Sequence, residues 1–218
     1  GTVTGPVTAT VEVTDDALNR ASTNASFTPG QNPGPTGLVS LMTIQAEDTT
    51  PGDGTAVTVA TGSAAQIQIR SAANPEPGVS GTGYVNGLRP GAVGLDGNTS
   101  NTDGVPGGYA DFGSSNADFV TFSFSVPSSQ AGAGVIKVRY ANGATADRPL
   151  EAVLNGVSLG NVSFVPPAGV TGDPAWTVWQ TVDVPANLVA GLNTITFRSI
   201  AATGPNIDQI EVLVPEAA

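Results

Sequence analysis

Acidic and amide side chains at the two ends of the β-patterned part of the chain could together bind a cation. Gln45 and Glu47 end an early apolar segment, and Asp208 begins the last one. Asp208 shares strand parity with Ile210, which predicts a core-side carboxylate that must be paired or metal-bound. Calcium takes about six to eight oxygen ligands, so these side chains with backbone carbonyls would suit it. The alternative is that Glu47 and Asp208 are solvated at strand ends.

A second candidate for calcium is the segment 96–104. Oxygens at Asp96, Asn98 and Ser100 have the spacing of the first three ligands of a calcium-binding loop. The glycine expected at the sixth position and the glutamate expected at the twelfth are both replaced. A polar turn is therefore the favoured interpretation of this segment.

Catalysis would have to depend on carboxylates, because the chain contains neither cysteine nor histidine. A pair such as Glu76 and Asp103 could do the acid–base work of a glycosidase. Nothing in the pattern distinguishes that pair from acidic residues in ordinary turns. We therefore expect a protein that is not an enzyme.

Aromatic residues make up only 6% of the chain, so their positions are informative. Trp176 follows a turn-forming segment that should expose it, and an exposed indole can stack on a sugar ring. Tyr84 could form an opposing platform, while Asn142 and Asn206 could hydrogen-bond to hydroxyl groups. The ordinary alternatives are that Tyr84 covers the core and that each asparagine is a turn residue. Trp179 begins an alternating segment and is expected in the core.

The net charge of −11 repels phosphate groups and argues against nucleic acid as a partner. The lack of cysteine and histidine leaves hard cations, calcium first, as candidate metals. Only 11% of residues are charged, so the surface must be built from uncharged polar residues, which suits an extracellular, secreted β protein. No apolar run reaches the ~18 residues of a membrane span. The N-terminal sequence is typical of a piece excised from a larger multidomain enzyme or surface protein.

Short alternating segments recur from Leu38 onward and predict an all-β sandwich or barrel. Val120, Phe122 and Phe124 alternate with polar residues, as in a half-buried strand. Asn155-Gly156 separates two such segments and predicts a hairpin. Residues 1–40 are expected to be a linker or an extra N-terminal strand or hairpin, and residues 41–218 the sandwich.

Several short motifs resemble the calcium-containing carbohydrate-binding modules of families 6 and 35. They occur in order along the chain, and their spacing is also similar: Ile44-Gln45-Ala46-Glu47-Asp48, Gly83-Tyr84-Val85-Asn86-Gly87-Leu88, Val138-Arg139-Tyr140-Ala141-Asn142-Gly143, Arg148-Pro149-Leu150, Val153-Leu154-Asn155-Gly156-Val157, Trp176-Thr177-Val178-Trp179 and Asn206-Ile207-Asp208-Gln209-Ile210. The resemblance covers about residues 41–214.

This resemblance implies a β-sandwich jelly roll that binds a polysaccharide, or its terminal sugar, without catalysis. It implies a structural calcium at Gln45, Glu47 and Asp208. It also implies a cleft in the loops at one end of the sandwich, where the residues at binding positions are Tyr84, Asn142, Trp176 and Asn206. The chain departs from the pattern in having Gln45 where glutamate is common and in a long insertion at 89–108. The alternative function is an adhesive spacer of a large extracellular protein that binds no glycan.

Overall fold

The structure is a computed structural model. It describes residues 37–47, 107–112, 118–201 and 203–217 in full, and the strand backbones of 7–14, 20–27, 56–60 and 68–70. The chain divides into two compact units, Gly1–Thr36 and Gly37–Ala218. The second unit thus begins four residues before the predicted boundary at residue 41, because strand pairing already starts at Leu38.

The two described strands of the first unit form an antiparallel pair. Strand β1 (Val7–Thr14) pairs with β2 (Arg20–Phe27) over its whole length, from Val7 opposite Phe27 to Thr14 opposite Arg20. The strand predicted around residues 7–13 is therefore present. Its partner comes from the Asn-, Ser- and Thr-rich segment that follows.

The described part of the second unit is built from strands, with two short 3-10 helices at Ser128–Gln130 and Asp173–Thr177. The strands are β3 (Leu38–Gln45), β4 (Ala56–Ala60), β5 (Gln68–Arg70), β6 (Tyr109–Asp111), β7 (Phe119–Val126), β8 (Gly132–Ala141), β9 (Leu150–Leu154), β10 (Val157–Val162), β11 (Gln180–Leu188), β12 (Gly191–Ser199) and β13 (Asn206–Pro215). No helix among the described residues is long and apolar enough to cross a membrane.

These strands form two antiparallel sheets. One has the order β10-β9-β12-β7-β4, and the other has the order β11-β8-β13-β6-β5, with β3 also paired to β13. Successive strands from β6 to β13 cross between the sheets, except at the β9–β10 hairpin. This alternation confirms the predicted all-β jelly-roll sandwich.

The main apolar core of the described residues lies between the sheets. Phe122 and Phe197 from the first sheet meet with ring centroids 6.4 Å apart. Tyr140 from the second sheet meets Phe164 edge-to-face at 4.9 Å. Strand alternation explains this core, because every second residue of β7 is buried while the residues between are half-buried or exposed.

The first and last strands of the unit are neighbours, as predicted. Strand β3 runs antiparallel to β13, with Gln45 opposite Gln209 and Leu38 opposite Pro215. The end of β3 therefore lies beside the start of β13, and this pairing joins the two halves of the candidate cation site.

The predicted hairpin at Asn155-Gly156 is also confirmed. Strands β9 and β10 flank the turn, and Asn155 and Gly156 have φ values of 50° and 81°. Positive φ at both central residues is what a two-residue type I′ turn requires. Strand β10 forms an edge of its sheet, and its register shifts between Ser158 and Gly160.

Candidate functional site

The backbone holds the predicted cation-binding residues beside one another. The amide of Ala46 donates to the carbonyl oxygen of Asp208 at 2.8 Å. Ala46 lies between Gln45 and Glu47, so one hydrogen bond ties that pair to the start of β13. The β3–β13 pairing therefore brings together residues that lie far apart in the sequence, as predicted.

Asp208 lies at an irregularity in β13. Opposite β8, Ile207 faces Tyr140 and Gln209 faces Arg139, so Asp208 is an extra residue without a β8 partner. Such a bulge lets a side chain leave the strict alternation of a strand. Asp208 is fully buried, but its carboxylate reaches Arg139 rather than following Ile210 into the apolar core. The prediction that Asp208 points toward the core together with Ile210 is therefore wrong.

Arg139 forms an ion pair with Asp208 through its Nη1 atom. The aspartate side chain is 0% exposed and the arginine side chain 20% exposed. Burying a carboxylate is costly unless it is paired, and the guanidinium supplies that pairing. A buried Asp208 was expected to need a partner, but its pairing with Arg139 was not predicted.

Gln45 presents a buried oxygen at the same place. Its Nε2 atom donates to Gln209 Oε1 at 2.8 Å, which turns the other end of the amide inward. That end, Oε1, is buried and has no hydrogen-bond partner. Since an unsatisfied buried acceptor normally costs stability, an oxygen-seeking cation would suit this position.

Glu47 connects the site to the strand that follows the long insertion. Its Oε1 atom accepts a hydrogen bond of 3.1 Å from the amide of Gly108, immediately before β6. Within the described ranges, no three His, Cys, Asp or Glu side chains are grouped closely enough for a metal ion. A cation here would therefore depend on two carboxylates, the Gln45 amide oxygen and backbone carbonyls. All are hard oxygen donors, so the set fits calcium.

An aromatic cluster also contacts Arg139. The guanidinium carbon lies 5.1 Å from the ring centroid of Trp179, and Trp179 packs against Tyr109 at 5.8 Å. Trp179 is half-buried and belongs to this small cluster, so its predicted place in the main core is wrong. The signal was available: Trp179 shares parity with Thr181 and Asp183, which are exposed.

Trp176 lies in the 3-10 helix Asp173–Thr177 and is half-buried. Its pyrrole ring covers Gly143, since a Cβ on that glycine would lie 2.2 Å from Trp176 Cδ1. The guanidinium carbon of Arg148 lies 4.9 Å from the indole centroid. The indole is therefore fixed by neighbours rather than freely displayed on a loop.

Arg148 links three segments at this end of the sandwich. Besides contacting Trp176, it donates from Nη1 to the carbonyl oxygen of Gly204 at 2.9 Å. Gly204 precedes β13 and packs against Phe112. A Cβ added to Gly204 would lie 2.7 Å from Phe112 Cγ. The sequence motif Arg148-Pro149-Leu150 included this arginine without predicting its contacts, although one of only seven basic residues in so acidic a chain was a usable signal.

Asn142 has no exposed surface, and its side chain organises the loop after β8. Its Nδ2 donates to the carbonyl oxygens of Ala146 and Phe164 at 3.0 and 2.6 Å, and its Oδ1 accepts from the Ala144 amide at 2.9 Å. These bonds correspond to the turn role that the sequence left open beside sugar binding.

Asn206 opens β13, with Ala141 opposite on β8 and Asp111 opposite on β6. It is 2% exposed. Because Asn206 pairs with Ala141, it lies beside the point where the Asn142-Gly143 loop begins. Trp176 covers Gly143 in that loop. Three of the four predicted sugar-binding residues therefore belong to neighbouring segments at one end of the sandwich.

The remaining predictions fall outside the described residues. These are Tyr84, the acidic pair Glu76 and Asp103, the second calcium candidate at 96–104, and nearly all of the insertion at 89–108.

Tyr140 lies near this end of β8 and has a raised pKa. Its hydroxyl donates to the carbonyl oxygen of Val165 at 3.1 Å. Burial and, secondly, the charge of Asp147 raise the pKa of Tyr140 above its ordinary value of 10.0. Asp147 itself accepts bonds from Ser163 Oγ at 2.5 Å and the Phe164 amide at 2.7 Å.

Parts of the chain are similar to segments of curated carbohydrate-active enzymes, although no protein-family model matches it. A stretch of 99 residues, 45% of the chain, is 37% identical to endo-1,4-β-xylanase B of Cellvibrio japonicus. A stretch of 116 residues is 39% identical to exo-β-D-glucosaminidase of Amycolatopsis orientalis. These matches span only 16% and 10% of the two enzymes.

Solved structures that resemble the chain include family 35 carbohydrate-binding modules. One from Clostridium thermocellum is 22% identical, with a TM-score of 0.47 over 81% of this chain and 98% of that one. Another, from an environmental isolate, is 29% identical, with a TM-score of 0.42 over 51% of this chain and 79% of that one.

Proposed function

We propose that this chain is a non-catalytic carbohydrate-binding module of the family 35 type, carried within a larger extracellular enzyme. The observation that carries the proposal is the variety of its relatives. A xylanase, an arabinofuranosidase, a glucosaminidase and a 1,6-α-glucosyltransferase each contain a similar segment, which amounts to 16% or less of the enzyme. A small segment that recurs among enzymes with different reactions supplies something other than catalysis. Binding to carbohydrate is the task these enzymes share.

The ligand in this proposal is a polysaccharide, or its terminal sugar, bound in the loops around Trp176. Asn206 would hydrogen-bond to sugar hydroxyls, Asn142 would hold its loop, and Tyr84 would face the indole. The fixed position of Trp176 over Gly143 supports this role, because a preorganised aromatic surface loses little entropy on binding. Modest affinity is expected, with a Kd of roughly 10 µM to 1 mM.

The proposed module holds one structural calcium through Gln45, Glu47 and Asp208. The buried Gln45 oxygen and the hydrogen bond between Ala46 and Asp208 support this assignment. When bound, the cation would add a cross-link between β3 and β13. Asn206 lies two residues from Asp208, so the same cross-link would stiffen the proposed sugar site.

A screen on a glycan array, with and without calcium, tests binding directly. Replacing Trp176 by alanine should weaken binding to the best glycan at least ~tenfold. Leu192→Ala is the matched control, because Leu192 is 64% exposed at the start of β12, outside the segments that contact Trp176. Equal binding by W176A and the wild type would move the cleft elsewhere. A wild-type protein that binds no glycan would favour the adhesive spacer.

A further inference from the structure

We propose that Arg139 is a built-in counter-ion that competes with calcium for Asp208. It stabilises the metal-free protein and lowers the calcium affinity of the site. This inference rests on the proposed calcium site and adds a residue that sets its affinity.

The first argument is the position of the pair. Asp208 is fully buried at the bulge in β13, and its carboxylate forms an ion pair with the Arg139 guanidinium. Removing one partner of a buried ion pair leaves an uncompensated charge, which strongly destabilises a fold. Arg139 therefore keeps this strand end stable when no metal is bound.

The second argument is that the backbone and the aromatic neighbour of Arg139 both hold it near Asp208. The β8 backbone at Arg139 is paired on both sides, with Gln209 on β13 and Thr181 on β11. The guanidinium also lies against the Trp179 indole, which Tyr109 supports. A cation held against an aromatic face gains further attraction.

The third argument is electrostatic. A divalent cation bound to Asp208 would share that carboxylate with a fixed positive charge only a few ångströms away. In a buried setting this repulsion is weakly screened. Arg139 therefore lowers the calcium affinity of the site and stabilises the metal-free protein.

A neighbouring pair provides the matched control. Lys137 precedes Arg139 on the same face of β8 and lies 3.3 Å from Glu211, with both side chains partly exposed at 36% and 28%. Lys137→Gln removes the same charge from the same strand without touching Asp208. It should leave calcium binding unchanged.

The experiment is a calorimetric titration of the full chain with calcium chloride, combined with melting curves in EDTA. Arg139→Gln should bind calcium about tenfold more tightly than the wild type. Its metal-free melting temperature should fall by several degrees, so that calcium produces a larger upward shift. Arg139→Lys keeps the positive charge and should stay closer to the wild-type calcium affinity. Tryptophan emission should change on calcium binding in the wild type, because the guanidinium rests on Trp179.

The inference is overturned if Arg139→Gln binds calcium no more tightly than the wild type, or if its metal-free melting temperature is unchanged. If Arg139→Gln does not fold, Trp179→Leu is the variant to test. It removes the aromatic contact that holds the Arg139 guanidinium, and Trp179 lies outside the main core. Unchanged calcium affinity in Trp179→Leu then counts against the inference. If neither the wild type nor any variant binds calcium, the calcium site itself is wrong.

Discussion

The indole of Trp176 occupies the space in which any side chain on Gly143 would have to lie. A Cβ on Gly143 would approach Cδ1, Cγ and Nε1 of that ring to 2.2, 2.3 and 2.4 Å. These are atoms of a rigid ring close to its attachment point, so they cannot turn aside as the end of a flexible chain could. The tryptophan and the glycine thus form one unit of the proposed sugar site.

Gly143→Ala should therefore displace the indole and destabilise the fold by about 1–3 kcal/mol, as overpacking usually does. Urea unfolding gives the free energy, and a shift in tryptophan emission reports the ring. A double-mutant cycle is the control: in a Trp176→Ala background the same glycine change should cost much less. Equal costs in both backgrounds would mean that the two residues do not interact.

Asn142→Ala should lower the free energy of unfolding by about 1–3 kcal/mol, because the carbonyls of Phe164 and Ala146 and the amide of Ala144 lose their partner. Asn187→Ala is the control, since Asn187 is exposed near the end of β11. Chemical denaturation of both variants checks the prediction. A loss no larger than that of the control would contradict the loop-holding role.

Arg148→Lys should loosen the segments that Arg148 joins, because lysine keeps the charge but not the planar group that spans Trp176 and Gly204. Hydrogen exchange measured by mass spectrometry should become faster in segments 173–177 and 203–206. Arg198→Lys is the control, since Arg198 is 46% exposed and pairs with Glu151 at 3.7 Å. Unchanged exchange in both segments would remove Arg148 from this role.

Gln45→Glu should tighten calcium binding and reduce the stability of the metal-free protein. The new carboxylate adds a charged ligand beside Glu47 and Asp208 but loses the amide bond to Gln209. Calorimetry with calcium chloride and melting curves in EDTA measure the two effects. Gln130→Glu serves as the control, because Gln130 also donates one amide bond, to the Pro215 carbonyl at 3.4 Å, at the opposite end of β13. Weaker calcium binding by Gln45→Glu would argue against Gln45 as a ligand.

The raised pKa of Tyr140 makes stability fall in alkaline solution. The folded protein holds the phenolic proton more tightly than the unfolded chain does, so this contribution is complete below about pH 10 and is lost as the pH rises through the folded-state pKa. Unfolding free energies between about pH 8 and about pH 11 should fall more steeply for the wild type than for Tyr140→Phe. Parallel curves would exclude Tyr140 as the source.

Local patterns in the sequence were enough to predict much of this fold. Alternating apolar residues indicated β7, because a strand with one face in the core keeps a period of two. Asn155-Gly156 indicated the hairpin turn, since both residues accept positive φ. The adjacency of β3 and β13 followed from the motifs at their ends. The strand and the turn depend on neighbours in the chain, and the motifs at the ends of β3 and β13 are visible in the sequence, so all three can be recognised without the structure.

The site was less predictable because it depends on register. Asp208 leaves the alternation only because Ile207 and Gln209 face consecutive residues of β8, and a single sequence does not reveal such a shift. Arg139 alternates like a surface residue of β8, so its contact with Asp208 could not be foreseen. Strand parity did place Trp179 with the exposed residues of β11, and this parity is a better guide to its position than the large apolar indole.

The pairing of β3 with β13 has a consequence for how the unit folds. The first strand cannot acquire its partner until the last strand has been synthesised, so closure waits for nearly the whole unit. Folds dominated by such distant contacts form slowly and expose strand edges meanwhile. A chain shortened before β13 would leave both β3 and β8 without their shared neighbour. Truncation at that strand should therefore yield aggregates rather than a smaller stable domain.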